Sequence, residues 1–565
     1  MKKFYLTLFN LISILTIFSQ NQLLIPDTVN SSNINLTLDY GTYEFFPGKI
    51  TQTMGANGNI LGPTLILQRG DSINISVNNQ LSDTTTIHWH GMHVSAENDG
   101  GPHTTIPPGT TWKPAFTVRD KAALYWYHPH LHKKTDLHVS KGIAGLIIVK
   151  DDEEAQLNLP RTYGVDDIPL VIQTKSFDSN YEIVAHSNSD SVLMVNATLN
   201  PYFDVPAQII RLRILNGSSQ RVFNLGLSNN EAFFQIASDG GLLDAPYETT
   251  RLQLAPGERA EILLNLNNRQ NDTVFLMSYA SELPNGIYGA TYPGTNTSMV
   301  LNGYSPNPLN GSDFNILQLN IANPTTNPVT SIPANLVQVS PIDENLANTT
   351  RTLTFSPVNM GLDQLNGAFL INDASFDLDV INYTIPFNNV EIWELTNRSA
   401  IAHPFHIHDV QFYILTRDGN APPVSEQGRK DVVLVKPQET VRFITKFETF
   451  ADDKVPYMYH CHMLPHEDDG MMGQFVVSSN PLSVQKNTID SPEIRILLSQ
   501  NKGEIKIIAE QKISKVQLFD IQGKSIYPNV EYDYNTVLIK NLSNGINIIQ
   551  LTVNNQIVAK KVMIY

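Results

Sequence analysis

A single cysteine stands in the 565 residues, Cys461, and it lies between two histidines in His460-Cys461-His462, with His466 and Met471 just downstream. The count leaves no internal disulfide to make, so burial and hydrogen bonding must hold the fold. An isolated cysteine is ordinarily a small buried hydrophobe. This one sits among imidazoles and a thioether, and two histidines, one cysteine and a long axial methionine are the ligands of an electron-transfer copper site. Cys461, His466 and Met471 supply three of those four. If residues 457 to 463 are extended, successive side chains point to opposite faces. Cys461 then faces one metal site while His460 and His462 face another, and one strand joins the two through a few covalent bonds.

Ten of the 15 histidines fall into four short motifs: His88-Trp89-His90, His128-Pro129-His130, His403-Pro404-Phe405-His406-Ile407-His408, and the segment from His460 to His466. Any one His-x-His pair reads more readily as an ordinary surface strand than as a metal site. Four of them, with a cysteine and a methionine at blue-copper spacing, read as metal sites, because imidazole suits copper, zinc and iron.

These motifs, HWHG at 88–91, HPH at 128–130, HPFHIH at 403–408 and HCHMLPHEDDGMM at 460–472, resemble those of the multicopper oxidase family. The likeness is to its three-domain bacterial form of laccases, spore-coat-type oxidases and cuprous oxidases, and covers roughly residues 35 to 480. Carried over position by position, it implies four copper ions. A type 1 copper would be held by His403, Cys461 and His466 with Met471 axial, and a type 2 copper by His88 and His406. One type 3 copper would take His90, His128 and His462, and its partner His130, His408 and His460. Two acids also match family positions: Asp99, in Glu97-Asn98-Asp99-Gly100-Gly101, near the type 2 copper, and Glu467 on the type 3 side. Both would carry protons, as hydrogen-bonded carboxylates do; as ordinary residues they would be loop or turn acids. His93, His103, His132, His138 and His186 match no ligand position and read as surface or supporting residues.

The start, Met1-Lys2-Lys3 followed by an apolar run to about Phe18, reads as a secretory signal peptide over 1–20. The run is too short for a membrane span, and no other stretch approaches that length. Three repeats then share a frame. Ile73-Asn74-Ile75-Ser76-Val77-Asn78-Asn79 precedes HWHG, and Val390-Glu391-Ile392-Trp393-Glu394-Leu395-Thr396-Asn397 precedes HPFHIH. The middle copy, Ile210-Arg211-Leu212-Arg213-Ile214-Leu215-Asn216, leads into Ser218-Ser219-Gln220-Arg221, without histidine. Short alternating strands with dense Gly, Pro and Asn punctuation argue for an all-β chain. With the resemblance, this predicts three Greek-key cupredoxin-like β-sandwich domains at 21–152, 153–310 and 311–480, the middle one without copper ligands. The stretch from about 291 to 350, rich in Asn, Pro, Thr and Ser, reads as linker and surface loop. In the first domain Trp126-Tyr127-His128-Pro129-His130 echoes Met458-Tyr459-His460-Cys461-His462, with Pro129 in the slot of Cys461, so only the third domain can build a type 1 site.

Residues 484–565 carry a net charge of +3, against −16 for the whole chain and so −19 for what precedes them. The shift marks an appended module, expected to be a small β-sandwich. Its segments Val516–Lys524, Gly545–Ile549 and Lys560–Tyr565 resemble the C-terminal sorting domain of type IX secretion, which implies a secretion machinery as partner and a secreted or cell-surface protein. The plainer reading is a module that binds carbohydrate or pads the terminus, which leaves the protein periplasmic.

The function expected from the resemblance is a laccase-like oxidase. It would take single electrons from phenols or aromatic amines at the type 1 copper and reduce O2 to water at the trinuclear cluster. The alternative is an oxidase of Cu(I), Fe(II) or Mn(II). Cuprous oxidases of the family carry a methionine-rich insert before the third-domain motif, whereas Met360 stands alone between residues 300 and 457 here, and Ser399 occupies a position where those enzymes carry an acid. A third class, copper-free division-associated relatives, conflicts with the complete ligand set. The acidic balance favours neutral or cationic donors and opposes nucleic-acid binding.

Overall fold

The computed structural model describes residues 20–479, 494–498, 503–509, 512–520, 524–542, 544–553 and 556–564. The expected signal peptide and the junction at 480–493 lie outside the described residues, apart from residue 20. Among the described residues, those up to Ser479 form one compact unit and those within 480–565 another.

The three repeat strands recur as Ser72–Asn79, Ile209–Asn216 and Val390–Asn397. Each runs parallel to an earlier strand, Asn33–Phe46, Asp167–Phe177 and Thr349–Pro357 respectively. Parallel neighbours cannot be joined by a tight hairpin, so the chain must cross over, which is how Greek-key wiring arises. Every repeat strand ends on a buried asparagine that closes the following turn. Asn79 donates to the carbonyls of Asp83 and Ile106 and accepts from the Leu81 N–H. Asn216 does the same with Arg221, Leu254 and Ser218, and Asn397 with Ile401, Val435 and Ser399. A buried amide needs such partners, which explains why the repeats keep this residue where their other side chains differ.

Alternation sends Ile73, Ile75 and Val77 into a first core with Leu36, Trp89 and Tyr127. Leu212 and Ile214 join Leu170, Phe223 and Ile262 in a second, and Trp393 and Leu395 join Phe405, Tyr459 and Phe475 in a third. Burying a side chain of this size contributes roughly 1.5–3 kcal/mol. The second sandwich draws on residues outside 153–310. Asn21–Gln22 pairs with Pro201–Pro206, and the ten-residue strand Asp313–Ala322 lies between Pro201–Pro206 and Thr273–Tyr279. The stretch read from composition as linker therefore contains a strand, because Ile316, Leu317, Leu319 and Ile321 fill the second core.

Within the unit from Asn480, one four-stranded sheet holds Ile494–Leu498, Ile505–Ala509, Thr536–Lys540 and Asn529–Asp533, and another holds Ser525–Ile526, Ile513–Phe519, Gly545–Val553 and Gln556–Ile564. Ile505, Ile507, Val537, Ile539, Ile549 and Leu551 form its core. Among the described residues, no helix is long and apolar enough to cross a membrane.

Candidate metal centre

In the first sandwich His88–His90 pairs antiparallel with Ala123–His128, placing His88 opposite His128. In the third, His403–Ile407 pairs with Asp452–Cys461, placing His406 opposite His460 and Phe405 opposite Cys461. Directly opposed residues of such a ladder share a face, so each sandwich presents a patch of imidazoles, and the patches meet. His88 stacks on His408 and His90 on His406, each with ring centroids 3.8 Å apart. His130 Nε2 lies 3.0 Å from His460 Nε2, and His90 Nδ1 3.3 Å from His128 Nε2. The His462 ring stands 4.9 Å from that of His90 and 5.5 Å from that of His128. All eight are buried.

The donor set of this chamber fits metal ions. His88 Nδ1 donates to the Asp99 carbonyl at 3.0 Å, His406 Nδ1 to the Asp431 carbonyl at 2.8 Å and His408 Nδ1 to Asp99 Oδ2 at 2.8 Å. With the proton on Nδ1, each Nε2 is a bare lone pair, and none of the three has a protein partner; nor has either nitrogen of His462. A buried lone pair left unpaired costs about 1–3 kcal/mol, which a bound cation would recover. Burial also pushes the imidazoles toward the neutral, ligating form: His130 and His460 drop to about 3, and His90, His128, His406, His408 and His462 fall well below the usual value. Donor atoms within 4.8 Å of one another group His88 with His406 and His408, His130 with His408 and His460, His88 with His90 and His128, and His90 with His406 and Asp431. His462 belongs to none of these groups.

A second pocket lies in the third core, on the other face of the same strand. His403 Nδ1 and His466 Nδ1 stand 3.5 and 3.7 Å from Cys461 Sγ. Ser399 Oγ donates to Asn397 Oδ1 at 2.8 Å and so accepts from His403 Nε2–H at 2.8 Å, which turns the Nδ1 lone pair toward the sulfur. The turn asparagine of the third repeat thereby helps to orient a histidine of this pocket. His466 sits on the short helix Leu464–Asp468. The Phe369 ring packs 4.6 Å from both histidines. Met471 is buried in the same core, its carbonyl accepting from the Cys461 N–H at 3.0 Å and its N–H donating to the His466 carbonyl at 2.8 Å. Burial pushes the Cys461 thiol up, so a metal would have to displace its proton.

Asp99 and Glu467 approach different histidines of the chamber. Asp99 Oδ1 lies 3.3 Å from His88 Nδ1, and Oδ2 bonds His408. Glu467 Oε1 lies 3.4 Å from His130 Nδ1 and Oε2 3.2 Å from His460 Nδ1; burial raises its carboxyl. Asp99 ends the one-turn helix Ala96–Asp99, which Gly100 stops at φ +81°, where a Cβ would meet the Ile87 carbonyl at 1.7 Å. The other five histidines join no such grouping. His93 pairs with Asp120 at 2.6 Å, His103 with Gln474 at 2.7 Å, His138 with Thr85 at 3.1 Å and His186 with Asp468 at 3.0 Å, while His132 packs on Phe376.

Models of multicopper oxidase domains match residues 37–154, 171–302 and 339–481. The chain belongs to the multicopper oxidase family. Multicopper oxidase mco of Staphylococcus haemolyticus is 34% identical over 477 residues, 81% of this chain and 93% of the relative. Cell division protein FtsP of Sodalis glossinidius is 32% identical over 447 residues, 78% and 88% of the two chains. A solved laccase-like multicopper oxidase from the lignin-degrading bacterium Ochrobactrum sp., described with activity towards lignin model compounds and lignosulfonate, is 32% identical with a TM-score of 0.70, covering 80% of this chain and 100% of its own. Residues 482–564 match a domain of unknown function, DUF8694. Multicopper oxidases bind copper, the ion that a thiolate with two imidazoles selects.

One carboxylate beside the histidines carries no motif to announce it. Asp431 Oδ1 lies 3.1 Å from His90 Nε2, and the Asp431 carbonyl takes the His406 proton. Only the dyad Lys430-Asp431 before an apolar run hints at it in the sequence.

Proposed function

We propose that this multicopper oxidase is laccase-like, taking single electrons from small phenols or aromatic amines and passing them to O2. The observation that carries the reading is the strand His460-Cys461-His462, whose middle side chain lines one pocket and whose outer two line the other. His403, Cys461, His466 and Met471 would hold a type 1 copper, His88 and His406 a type 2 copper, and the remaining six histidines a type 3 pair. Four bound coppers would supply one-electron acceptance at the cysteine pocket and four-electron reduction of O2 to water in the chamber.

The chain's own residues prepare both ends. Ser399 and Phe369 fix the imidazoles beside Cys461. Asp99 Oδ2 and Glu467 stand within reach of the His408 and His130 ring nitrogens, where they would hand over the protons that water formation consumes. Two features favour an organic donor over a metal ion: Ser399 rather than an acid touches His403, and residues 300–457 contain only Met360 as a thioether. The net charge of −16 repels anions and so favours neutral or cationic donors.

Oxygen uptake by copper-loaded protein, measured side by side with phenols, aromatic amines, bilirubin, Cu(I), Fe(II) and Mn(II), tests the reading. Faster uptake with any metal ion than with every organic donor would replace it with a metal oxidase, and failure to bind copper would place the chain with copper-free relatives. For the unit from Asn480 we propose recognition by an export machinery that leaves the enzyme secreted or on the cell surface. Removing residues 484–565 should then trap the enzyme in the periplasm, and unaltered release would refute the assignment.

A further inference from the structure

The second sandwich has no histidine in its repeat turn, yet one of its side chains holds a carboxylate that borders the chamber. Arg259 opens the strand Arg259–Asn265 and is fully buried. All five of its guanidinium N–H groups have acceptors. Nη1 and Nη2 fork onto Asp431 Oδ1 and Oδ2 at 2.5 and 2.6 Å. Nη1 also donates to the Gly257 carbonyl at 3.1 Å, Nη2 to the Asp239 carbonyl at 2.9 Å, and Nε to the Leu124 carbonyl of the first sandwich at 3.1 Å. Asp431 belongs to the third sandwich, so this one cation ties all three together.

The far side of Asp431 is the chamber. Its Oδ1 is 3.1 Å from His90 Nε2 and its carbonyl 2.8 Å from His406 Nδ1. Because Oδ1 can only accept, the His90 proton sits on Nε2 and the Nδ1 lone pair turns toward His128. Because the carbonyl can only accept, His406 keeps Nδ1–H and presents bare Nε2. Asp239 locks the arrangement from behind. Its Oδ1 accepts from the Arg259 N–H at 2.8 Å, and its Oδ2 from the Asp431 N–H at 3.3 Å and from Lys430 Nζ at 3.0 Å.

Two glycines show how closely the parts are fitted. A Cβ on Gly91, the last residue of HWHG, would stand 2.4 Å from Asp431 Oδ2 and 2.6 Å from Arg259 Nη2. A Cβ on Gly257, two residues before Arg259, would lie 3.0 Å from the His462 ring.

We infer that Arg259, contributed by the sandwich that holds no ligand, is a positioning residue for the trinuclear centre, acting through Asp431 to set the tautomer and angle of His90 and His406. The inference rests on the copper reading above. A bidentate fork fixes a carboxylate in plane and angle, which a single ammonium cannot do. Partners that hold metal ligands in this way typically change metal affinity about 10–100-fold when lost.

The test uses copper-loaded full-length protein and compares Arg259→Lys and Arg259→Met with Arg213→Lys. Arg213 is a buried arginine of the same sheet, paired with Asp167 and Glu261 and in contact with no histidine of the chamber. The readouts are the type 2 paramagnetic resonance signal, with the type 1 signal of the same sample as internal reference, and the copper retained after dialysis against a chelator. Arg259→Lys should keep the type 1 signal, alter the type 2 hyperfine pattern and retain chamber copper roughly tenfold less firmly; Arg259→Met should do so more strongly. Arg213→Lys should lower Tm and leave the type 2 signal as it was. Should Arg259→Met fail to fold, Arg259→Lys alone decides. Wild-type spectra and copper retention in the Arg259 variants would overturn this inference alone, whereas wild-type protein that takes up no copper would overturn the proposed function itself.

Discussion

Ala123–His128 in the first sandwich and Asp452–Cys461 in the third are held by the same device. Tyr127 lies opposite Gly145 and Tyr459 opposite Gly473, so close that a Cβ on either glycine would meet the tyrosine ring at 2.2 or 2.3 Å. The next residue is a histidine whose Nδ1 donates to the following carbonyl, at 2.8 Å for His128 and 3.1 Å for His460. The strands diverge one position later, at Pro129 and Cys461. The shared frame delivers the chamber imidazoles from both sides, and a single slot decides whether a second pocket exists behind them. The cysteine also needs company that the first sandwich does not assemble, in His403 held by Ser399 and His466 raised on its helix.

Replacing the slot residue is the strongest way to break that contrast. Cys461→Ser should abolish the blue colour and donor oxidation while the fold, followed by circular dichroism, persists. A blue, active serine variant would end the assignment of electron uptake to this pocket.

The metal-free protein should expose the strain that both pockets share. His130, His460 and His466 sit near 3 when folded, with burial as the main cause, against about 6.5 when unfolded. A depressed histidine pKa means that below about 6.5 the unfolded chain binds protons which the folded chain refuses. Stability is therefore full above that pH and is lost as pH falls toward 3, at about 1.4 kcal/mol per group per pH unit. Denaturant titrations of apoprotein between pH 7 and 5 should show this slope, and copper should flatten it. A flat apoprotein profile would contradict the burial of these rings.

Asp99→Asn sharpens the comparison from the chamber side. It should slow turnover about 10–100-fold with the blue colour retained, because Asp99 touches His88 and His408 and not the cysteine pocket. Unchanged turnover across pH would remove Asp99 from proton delivery.

The smallest effect tests the shared frame directly. Gly145→Ala and Gly473→Ala should each cost about 1–3 kcal/mol by overpacking against their tyrosines, and similar falls in Tm are expected. Grossly unequal falls would mean that the two strands are supported differently.

The histidine motifs and repeat strands were legible because each is local: a period of two puts His88 with His90 and His460 with His462 on one face, and a buried asparagine marks each strand end. What escaped was non-local. Asp431 and Arg259 lie 172 residues apart, and neither belongs to a motif. Asp313–Ala322 was hidden by the polar composition around it, although Ile316, Leu317, Leu319 and Ile321 carry the apolar pattern of a buried strand. In the sequence Ser399 shows only the absence of an acid, and its hydrogen bond to His403 depends on how the turn after Asn397 folds back.

Since neighbouring residues line both pockets, the gap that charge would cross under the proposed function is set by bond lengths and not by packing. Warming that loosens surrounding loops would alter how quickly donors dock and oxygen arrives, but the covalent path, made of the Cys461 side chain, one peptide unit and a neighbouring imidazole, would keep its length, with consecutive Cα atoms about 3.8 Å apart.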